Sequence, residues 1–566
     1  MNQPALFRIK QRTHWSEWIG FGLQGVVLFI LLAFLAAPLI TIFQQAIQNS
    51  QGQYVGLSNL TTYIQTPALL HSLWNSVWVS ALVTLIVMPL AFVFAYALTR
   101  SCMMGKTLLR SISLIPLLAP SLLSAISLIY WFGNQGALKS VMQAVGINQI
   151  YGAPGIIIAE CFAVFPHVLM ILVTALTLAD ARLYEAADAL GTSSTRKFFT
   201  ITLPGAKYGL ISASLVSFTL VITDFGIPKV IGGNFNMMAT DIFKLVIGQQ
   251  DFSKGSVVAL LLLSPAILSF LVDRYVSARQ TAMLSARAVA FQPKPNARHD
   301  GLMLSFCIVI AILMLAMLGM AIFASFASFW PYDLAPSWRH YKLGLIDGDV
   351  GDGFINSLKL ATGTAVFGTL LVFIAAYLLE KSKSIAVIRV PLQLLSVIPM
   401  AVPGLVLGLG YIFFFNMPNN PLNGLYQTMT LLIFCTIVHF YTTGYLTATT
   451  ALKSLDAEFE SVSASLKVPF YKTFWRVTLP ICTPAIVDIA RYFFINAMTT
   501  ISAVVFLYSP STKVASISIL NLDEAGDVGA AAAMTVLIAL ISATALCFFA
   551  WLSWFVEKRT QAWRQR

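Results

Sequence analysis

Long apolar blocks separated by short polar segments run through this chain of 566 residues. Each block has about 20–25 residues, which is the length an α-helix needs to cross the hydrocarbon core of a bilayer. The pattern predicts an all-α polytopic membrane protein and disfavours an outer-membrane barrel, whose strands would be short and alternating. The twelve predicted spans are about residues 19–43, 73–98, 108–133, 154–178, 207–226, 254–276, 302–326, 356–379, 390–415, 426–450, 484–506 and 527–555.

Composition and charge agree with this class of protein. The chain is 58% hydrophobic and only 10% charged, unlike a soluble domain. If the N-terminus is placed inside, 26 of the 35 Lys and Arg residues fall in cytoplasmic segments, so both termini are expected in the cytoplasm. The net charge of +12 then reflects topology and contact with anionic membrane lipid rather than nucleic-acid binding.

The sequence predicts neither a cleaved signal peptide nor a cysteine-based site. The first apolar block is too long for a signal-peptide core, and we interpret it as a retained helix. The six cysteines have no CxxC spacing, so they predict neither a disulfide framework nor a metal site.

A polar, basic segment divides the chain into two halves of six spans. We predict a first half at residues 1–276, a cytoplasmic linker at 277–301 and a second half at 302–566. The halves share weak landmarks in the same order, which indicates a duplication. Because both halves would begin and end inside, the repeat is expected to be parallel, related by an axis along the membrane normal.

A Pro-x-x-x-Pro pair recurs at the same place in both halves. Pro116 and Pro120 fall in the third predicted span, and Pro399 and Pro403 fall in the ninth. Proline removes a backbone hydrogen bond and kinks a helix. The kinks have two interpretations, a packing adjustment or a helix that bends around a translocation path.

The polar segment at residues 179–206 predicts a helix, a tight turn and a second helix. Ala179 to Leu190 is rich in helix formers, and Gly191 can end that helix with a positive φ. Thr192, Ser193 and Ser194 can cap a short helix from Thr195 to Thr200, which Leu203 and Pro204 are expected to end.

This segment resembles a known signature. Glu185-Ala186-Ala187, three residues, Gly191, nine residues and Ile201-x-Leu203-Pro204 match the pattern of permease subunits of binding-protein-dependent ABC importers. The resemblance implies a coupling helix that docks into a groove of the nucleotide-binding subunit. Glu185 would project from it, and the small Ala186 and Ala187 would let the partner approach closely.

A second, degenerate copy occupies residues 455–482. Ser461 stands where Glu185 stands in the first copy, and Glu460 precedes it. Lys467 replaces the glycine, while Leu479 and Pro480 are retained. Pro469 can start the second helix without losing a donor, so the turn can survive. We therefore predict an unequal pair of docking loops.

The resemblance covers nearly the whole chain as two fused permease domains, which implies a type I ABC importer permease fold in a bacterial inner membrane. It also implies two copies of a cytoplasmic ABC ATPase and a periplasmic solute-binding protein as partners. GxxxxGK[ST] is absent from the sequence, so we expect ATP and Mg²⁺ to be used by the partner subunit. The chain is expected to be a transporter subunit without catalytic residues, a metal site or a cofactor of its own.

The cargo is indicated by a shorter stretch. Residues 223–233 and 239–244 resemble the ferric-iron and 2-aminoethylphosphonate permeases, and the continuation from residues 247–252 through 272–274 resembles the latter more. Asp224 and Lys229, near the end of the fifth span, are the candidate cargo contacts, since an acid and a base suit a zwitterion. Alternatively, both face the periplasm and touch the binding protein or water.

Other polar residues inside the predicted spans are Glu160, His167, His439, Asp488 and Arg491. Asp488 and Arg491 are three residues apart on one helical face and can pair with each other. A single histidine in a span is more often a hydrogen-bonded packing residue than a ligand.

Three rival classes of function stay open. An ion-coupled secondary transporter would need its own ion site and would not need two matching loops. A membrane enzyme would need clustered His or acidic residues near one face, and these are scattered here. A channel or a structural subunit is the third class.

Overall fold

The computed structural model describes residues 15–49, 51–144, 146–283, 291–346, 348–382, 385–456, 458–466 and 468–560. Helices dominate the fold, as the apolar blocks predicted. In the N-terminal half the α-helices are α1 (Trp15–Leu31), α2 (Ala37–Ala46), α3 (Ser58–Gln65), α4 (Pro67–Arg100), α5 (Lys106–Leu114), α6 (Leu122–Phe132), α7 (Lys139–Ala144), α8 (Ala153–Thr177), α9 (Ala181–Ala189), α10 (Ser194–Lys197), α11 (Leu203–Thr223), α12 (Gly226–Ile231), α13 (Met238–Phe243) and α14 (Phe252–Met283).

The C-terminal half repeats much of this order. Its α-helices are α15 (Ala297–Phe326), α16 (Arg339–Ile346), α17 (Gly348–Gly363), α18 (Thr369–Glu380), α19 (Ala386–Val397), α20 (Gly404–Phe415), α21 (Met429–Lys453), α22 (Glu458–Ser465), α23 (Phe470–Thr473), α24 (Leu479–Thr499), α25 (Ala515–Glu524) and α26 (Val528–Thr560). A short antiparallel hairpin joins β1 (Ala327–Phe329) to β2 (Asp333–Pro336).

Several helices continue through turns of different pitch. The π-helical turns are Leu32–Ala36, Phe198–Thr202, Lys244–Gly248, Thr364–Gly368 and Phe474–Thr478. The 3₁₀ turns are Ile115–Leu118, Ile398–Ala401, Asn423–Leu425 and Pro510–Thr512.

The count of membrane spans depends on two bent pairs of helices. Within the described residues, ten helices are long and apolar enough to cross a membrane, and there are up to twelve if each bent pair is one span. The bent pairs lie at 106–132 and 387–415, where α5 meets α6 at 101° and α19 meets α20 at 118°. These are the third and ninth predicted spans, and the bend expected at their prolines is present and sharper than a gentle kink.

The prolines explain the sharpness of these breaks. Pro116 and Pro399 lie in the first turn of the 3₁₀ segments, and Pro120 and Pro403 follow in the connection to the next helix. Two missing N–H donors within one turn leave the helix without consecutive hydrogen bonds, and the chain changes direction instead of bending gently.

A second matched break ends the fifth and eleventh spans. α11 stops at Thr223 and α24 stops at Thr499, because Asp224 and Thr500 adopt extended backbone with ψ of 136° and 140°. The predicted limits of 226 and 506 therefore extended past the helices. The break recurs at matched positions, so it belongs to the architecture of both halves.

The two halves exchange their first helices. α1 and α2 pack against α18, α19 and α20 of the C-terminal half, and α15 packs against α4, α5 and α6 of the N-terminal half. Gln24 Nε2 donates to the Leu378 carbonyl at 3.1 Å, and Trp131 Nε1 donates to the Ala316 carbonyl at 3.2 Å. Each half therefore depends on the other for its packing.

A glycine permits a close approach between α20 and α2. A Cβ on Gly410 of α20 would lie 2.6 Å from the Pro38 carbonyl oxygen of α2. Because that obstacle is backbone, any larger residue would push the two helices apart.

Candidate coupling loops and solute path

The first loop, residues 179–206, has the predicted turn. Asp180 caps α9 by accepting a hydrogen bond from Arg182 N at 3.1 Å. Gly191 has a φ of 67°, and Thr192 N donates to the Ala187 carbonyl at 2.9 Å across the turn. This is the glycine-terminated helix end expected from the sequence. Ser193 then caps α10 through Arg196 N.

The expected stop at Leu203 and Pro204 was wrong. α10 runs through the π turn Phe198–Thr202 into α11, so residues 194–223 form one long helical segment. Leu203 N donates to the Phe198 carbonyl, which widens the turn just before the proline. Pro204 lies in the first turn of α11, where a missing N–H is tolerated.

The second loop, residues 455–482, keeps the turn by other means. Val468 N donates to the Ser463 carbonyl at 2.9 Å, which matches the bond across the first turn. Lys467 itself lies outside the described residues. Pro469 precedes α23 as its N-cap rather than being its first residue. The Ser463 and Thr473 hydroxyls contact each other and tie the two short helices together.

Both loops present an exposed stripe at matched positions. In the first loop Leu183, Ala186 and Leu190 are exposed, and Glu185 lies exposed beside them. In the second loop Phe459, Val462 and Leu466 occupy the matching positions and are also exposed, with Ser461 in the place of Glu185. Leu190 is 83% exposed and Leu466 is 71% exposed, so most of each apolar side chain is open to contact with another surface.

One residue expected on the docking surface, Ala187, is not exposed. Ala187 is buried against its own chain, so its small size serves internal packing and not the approach of another surface. Sequence reasoning missed Leu183 and Leu190, although their spacing of seven residues, with Ala186 between them, is a helical face and could have indicated them.

The two loops are anchored differently. Tyr184 Oη and Thr202 Oγ1 share a buried hydrogen bond of 2.9 Å, and the Tyr184 ring packs on Phe291 at 4.6 Å between centroids. In the second loop Glu460 replaces the tyrosine and forms an ion pair with Lys381 at 3.2 Å. The two loops are therefore attached to different parts of the chain, the first to the linker and the second to the end of α18.

Asp188 connects the first loop to the linker. Its carboxylate contacts Lys197 of α10 and lies 3.7 Å from Lys294 Nζ. The hydrogen bond from Lys197, helped by the charge of Lys294, holds the pKa of Asp188 below its usual value. One exposed acid thus joins α9, α10 and the segment before α15.

Three polar side chains lie close together at the break after α11. The Asp224 carboxylate accepts a hydrogen bond from Ile227 N at 2.8 Å and also contacts Ser121 and Glu160. Ser121 directly follows Pro120, so the proline break and the end of α11 meet here. Glu160, on α8, is 1% exposed and reaches Asp224 from the helix behind.

Lys229 has different partners from Asp224. Its Nζ lies 2.7 Å from Glu524 of the C-terminal half and 4.9 Å from the centroid of the Phe243 ring. The acid and the base that were expected to suit a zwitterion therefore hold separate contacts. Phe243 also stacks on Phe506 at 6.1 Å, so the halves meet here on the face opposite the loops.

The matching break of the C-terminal half has neutral partners. Gly404 follows Pro403, and a Cβ on it would lie 2.6 Å from Ser502 Oγ and 3.1 Å from the His439 ring. His439 and His167 both lie on helices that pack in the membrane-spanning region. Asp488 and Arg491 form the predicted pair at 3.0 Å. Among the described residues, no group of three or more His, Cys, Asp or Glu side chains is placed to hold a metal ion.

Comparisons with known proteins follow the two halves. The family model described as binding-protein-dependent transport system inner membrane component matches residues 87–282 and 368–558. The chain is 26% identical over 553 residues to the ferric transport system permease protein FbpB of Actinobacillus pleuropneumoniae, covering 95% of this chain and 78% of that protein. It is 26% identical over 254 residues to the sulfate transport system permease protein CysW of Escherichia coli (strain K12), covering 44% and 84%.

Other similarities are of the same kind. The molybdenum transport system permease protein ModB of Mycobacterium tuberculosis is 27% identical over 244 residues, covering 43% of this chain and 88% of that protein. A solved bacterial alginate ABC transporter, in complex with a periplasmic protein, has a TM-score of 0.40 and 14% identity, covering 48% of this chain and 97% of that chain. The family model matches both halves and more than half of the chain, and the chain therefore belongs to the binding-protein-dependent transport system inner membrane components, as a fused ABC importer permease.

Proposed function

We propose that this permease imports a small solute from the periplasm to the cytoplasm by alternating access, driven by two copies of a separate ABC ATPase that uses ATP and Mg²⁺. The observation that carries the proposal is the pair of loops on one face, each with three exposed positions in the same helical register. Leu190 and Leu466 would be covered by one ATPase subunit each. A periplasmic binding protein would deliver the solute to the opposite face, and both chain ends would lie in the cytoplasm.

The helices suggest how ATPase motion would reach the path. Each loop continues through a π turn into a helix of 21 residues, α11 or α24. A helix of that length spans about 30 Å, so it can act as a rigid lever between the loop and the break at Asp224 or Thr500. Drawing the loops together would rotate one half against the other and release the contacts at the opposite face.

Two cargoes are supported by separate observations. Ferric iron is favoured by the ferric transport relative, whose similarity extends over 95% of this chain. 2-Aminoethylphosphonate is favoured by the residues at 247–252 and by the zwitterion argument for Asp224 and Lys229, although these two side chains have separate partners. Both cargoes carry a positively charged centre.

The test is uptake by proteoliposomes that contain the permease, its ATPase and its binding protein. We expect uptake of ferric iron or 2-aminoethylphosphonate that requires ATP and both partners. Uptake driven by an ion gradient without ATPase would establish a secondary transporter instead. A double variant, Glu185→Lys with Gly191→Pro, should lose ATPase association, and intact association would remove the docking role of the first loop.

A further inference from the structure

Three polar side chains converge where two breaks of the N-terminal half meet. Ser121 comes from the connection between α5 and α6, Glu160 from α8 and Asp224 from the end of α11. We refer to these three residues as the acid cluster. Asp224 contacts both of the others, so side chains from three separate segments of the N-terminal half meet at one point.

One carboxyl oxygen of the acid cluster has no hydrogen-bond partner. Glu160 is 1% exposed, and its Oε1 is buried with no hydrogen-bond partner. Ser121 and Asp224 are only partly buried, so the cluster is reachable from one side. Burying an unpaired carboxyl oxygen is costly, so this oxygen calls for a partner such as a bound solute, ion or water.

The C-terminal half shows that the fold does not require these acids. α8 and α21 both have 25 residues, and α11 and α24 both have 21, so positions can be matched directly. The residues that match Ser121, Glu160 and Asp224 are Gly404, Thr436 and Thr500. That half forms the same proline break, at 118°, and the same helix stop without a carboxylate. The acids therefore need a reason other than architecture.

We infer that the acid cluster contacts the positively charged centre of the cargo during passage. Two carboxyl groups and a hydroxyl attract a metal cation or an ammonium group and repel an oxyanion. They are too few to complete the coordination of a resident metal ion, which suits a solute that must leave again. The inference rests on the proposed importer function and restricts the cargo to cationic or zwitterionic solutes, excluding sulfate and molybdate.

The position of the cluster suits a contact on the path. Gly226 lies two residues after Asp224, and a Cβ built on it would lie 3.7 Å from Ile501 Cδ1 of the other half. Lys229, one turn further along α12, reaches Glu524 across the same boundary. The cluster thus lies at the junction of the halves, just inside the contacts that join them at the face opposite the loops.

The experiment compares uptake of three probes by proteoliposomes that contain the complete transporter. The probes are Fe³⁺, 2-aminoethylphosphonate and molybdate, each presented at saturating binding protein. In Glu160→Gln and Asp224→Asn, which keep the size of the side chains but replace a carboxyl oxygen with an amide NH2, uptake of the cationic cargo should fall about 10- to 100-fold, the range for losing a charged hydrogen bond. Asp333→Asn, which changes an exposed acid of β2 that accepts a hydrogen bond from Ala335 N at 3.0 Å, should behave as wild type.

Chemical labelling of the wild type provides a measurement that does not depend on the folding of variants. Dicyclohexylcarbodiimide attacks protonated carboxyl groups in apolar surroundings, and peptide mass spectrometry locates the adduct. We expect saturating Fe³⁺ or 2-aminoethylphosphonate to slow labelling of Glu160 or Asp224 at least several-fold, whereas molybdate should not.

The outcomes separate this inference from the importer function. If none of the probes is taken up by the wild type with ATP, the proposed function fails and the inference fails with it. If the wild type takes up Fe³⁺ or 2-aminoethylphosphonate, but both variants match it and labelling is unchanged, the importer stands and the acid cluster is structural. Uptake of molybdate would likewise keep the importer and overturn the cationic cargo.

Discussion

Lys229 Nζ lies 2.7 Å from Glu524 Oε1 and joins the two halves of the permease at the face opposite the loops. The lysine comes from the short helix after the Asp224 break, and the glutamate ends α25 of the other half. The stacked rings of Phe243 and Phe506 lie beside the pair. The proposed alternating access would require this boundary to open, and the ion pair would then be broken in each cycle.

Neutralising either partner should favour the open boundary. Lys229→Gln or Glu524→Gln removes a partly exposed ion pair, and such pairs contribute about 0.2–1 kcal/mol. We expect a roughly two- to fivefold shift towards the open form, seen as faster reaction of a cysteine placed at Phe506 with a soluble thiol reagent. The charge swap Lys229→Glu with Glu524→Lys should restore the slow reaction. If the swapped variant instead reacts as fast as the effects of the two single variants added together, the ion pair does not stabilise the closed boundary.

The exposed stripe of each loop should determine ATPase affinity. Leu190→Ser removes an apolar side chain that docking would cover, at a cost of about 1.5–3 kcal/mol for full burial. ATPase association, measured by titration in nanodiscs, should weaken about tenfold or more. The same should hold for Leu466→Ser. Leu190→Met is the matched control, since it preserves apolar volume, and its affinity should stay close to wild type. Equal affinity of the serine and methionine variants would contradict the stripe.

The sequence was most informative where a local rule decides the structure. Gly191 ends α9 with a positive φ because that turn needs it, and Asp488 pairs with Arg491 because they share a helical face. Predictions failed where neighbouring helices decide. Pro116 and Pro120 indicate lost hydrogen bonds, but the angle of 101° depends on α15, which packs against both α5 and α6.

The candidate site shows the same division. The signature around Glu185 locates the loop, whereas the partners of Lys229 and Asp224 come from helices distant in the sequence. No local pattern places Glu524 beside Lys229, or Glu160 behind Asp224. The π turn before Pro204 was also missed, because a proline near a helix start is compatible with either a stop or a wider turn.

Asp188 should control the stiffness of the first loop. Asp188→Asn removes the charge that contacts Lys197 and Lys294, and it should increase backbone hydrogen exchange in α9 and α10. Because the folded pKa of Asp188 is lowered, its contribution is present at neutral pH and is lost only as the pH falls through that lowered value. After correction for the pH dependence of intrinsic exchange, the protection of α9 and α10 in the wild type should therefore not change between pH 6 and 8. Asp180→Asn, which preserves the cap of α9, is the control and should exchange like wild type.

Asp523 should make the boundary at Lys229 and Glu524 sensitive to pH. Burial, reinforced by the charge of Glu524 and opposed by Lys229, raises the pKa of Asp523 to about 6. A raised folded pKa means that the folded state binds the proton more tightly than the unfolded state does. The resulting stability is fully present below the unfolded value of about 3.9 and is lost as the pH rises through about 6.

Local opening of α25 should consequently be rarer at pH 5 than at pH 7. For one carboxyl group the difference is at most about tenfold. It is measured by hydrogen exchange corrected for intrinsic rates. Asp523→Asn should remove this dependence and hold the low opening rate at both pH values, since it mimics the uncharged form. Asp527→Asn provides the control, because Asp527 caps Ala530 N at 3.0 Å and asparagine can do the same. If Asp523→Asn retains the wild-type pH dependence, another group titrates at the boundary and Asp523 is not the sensor.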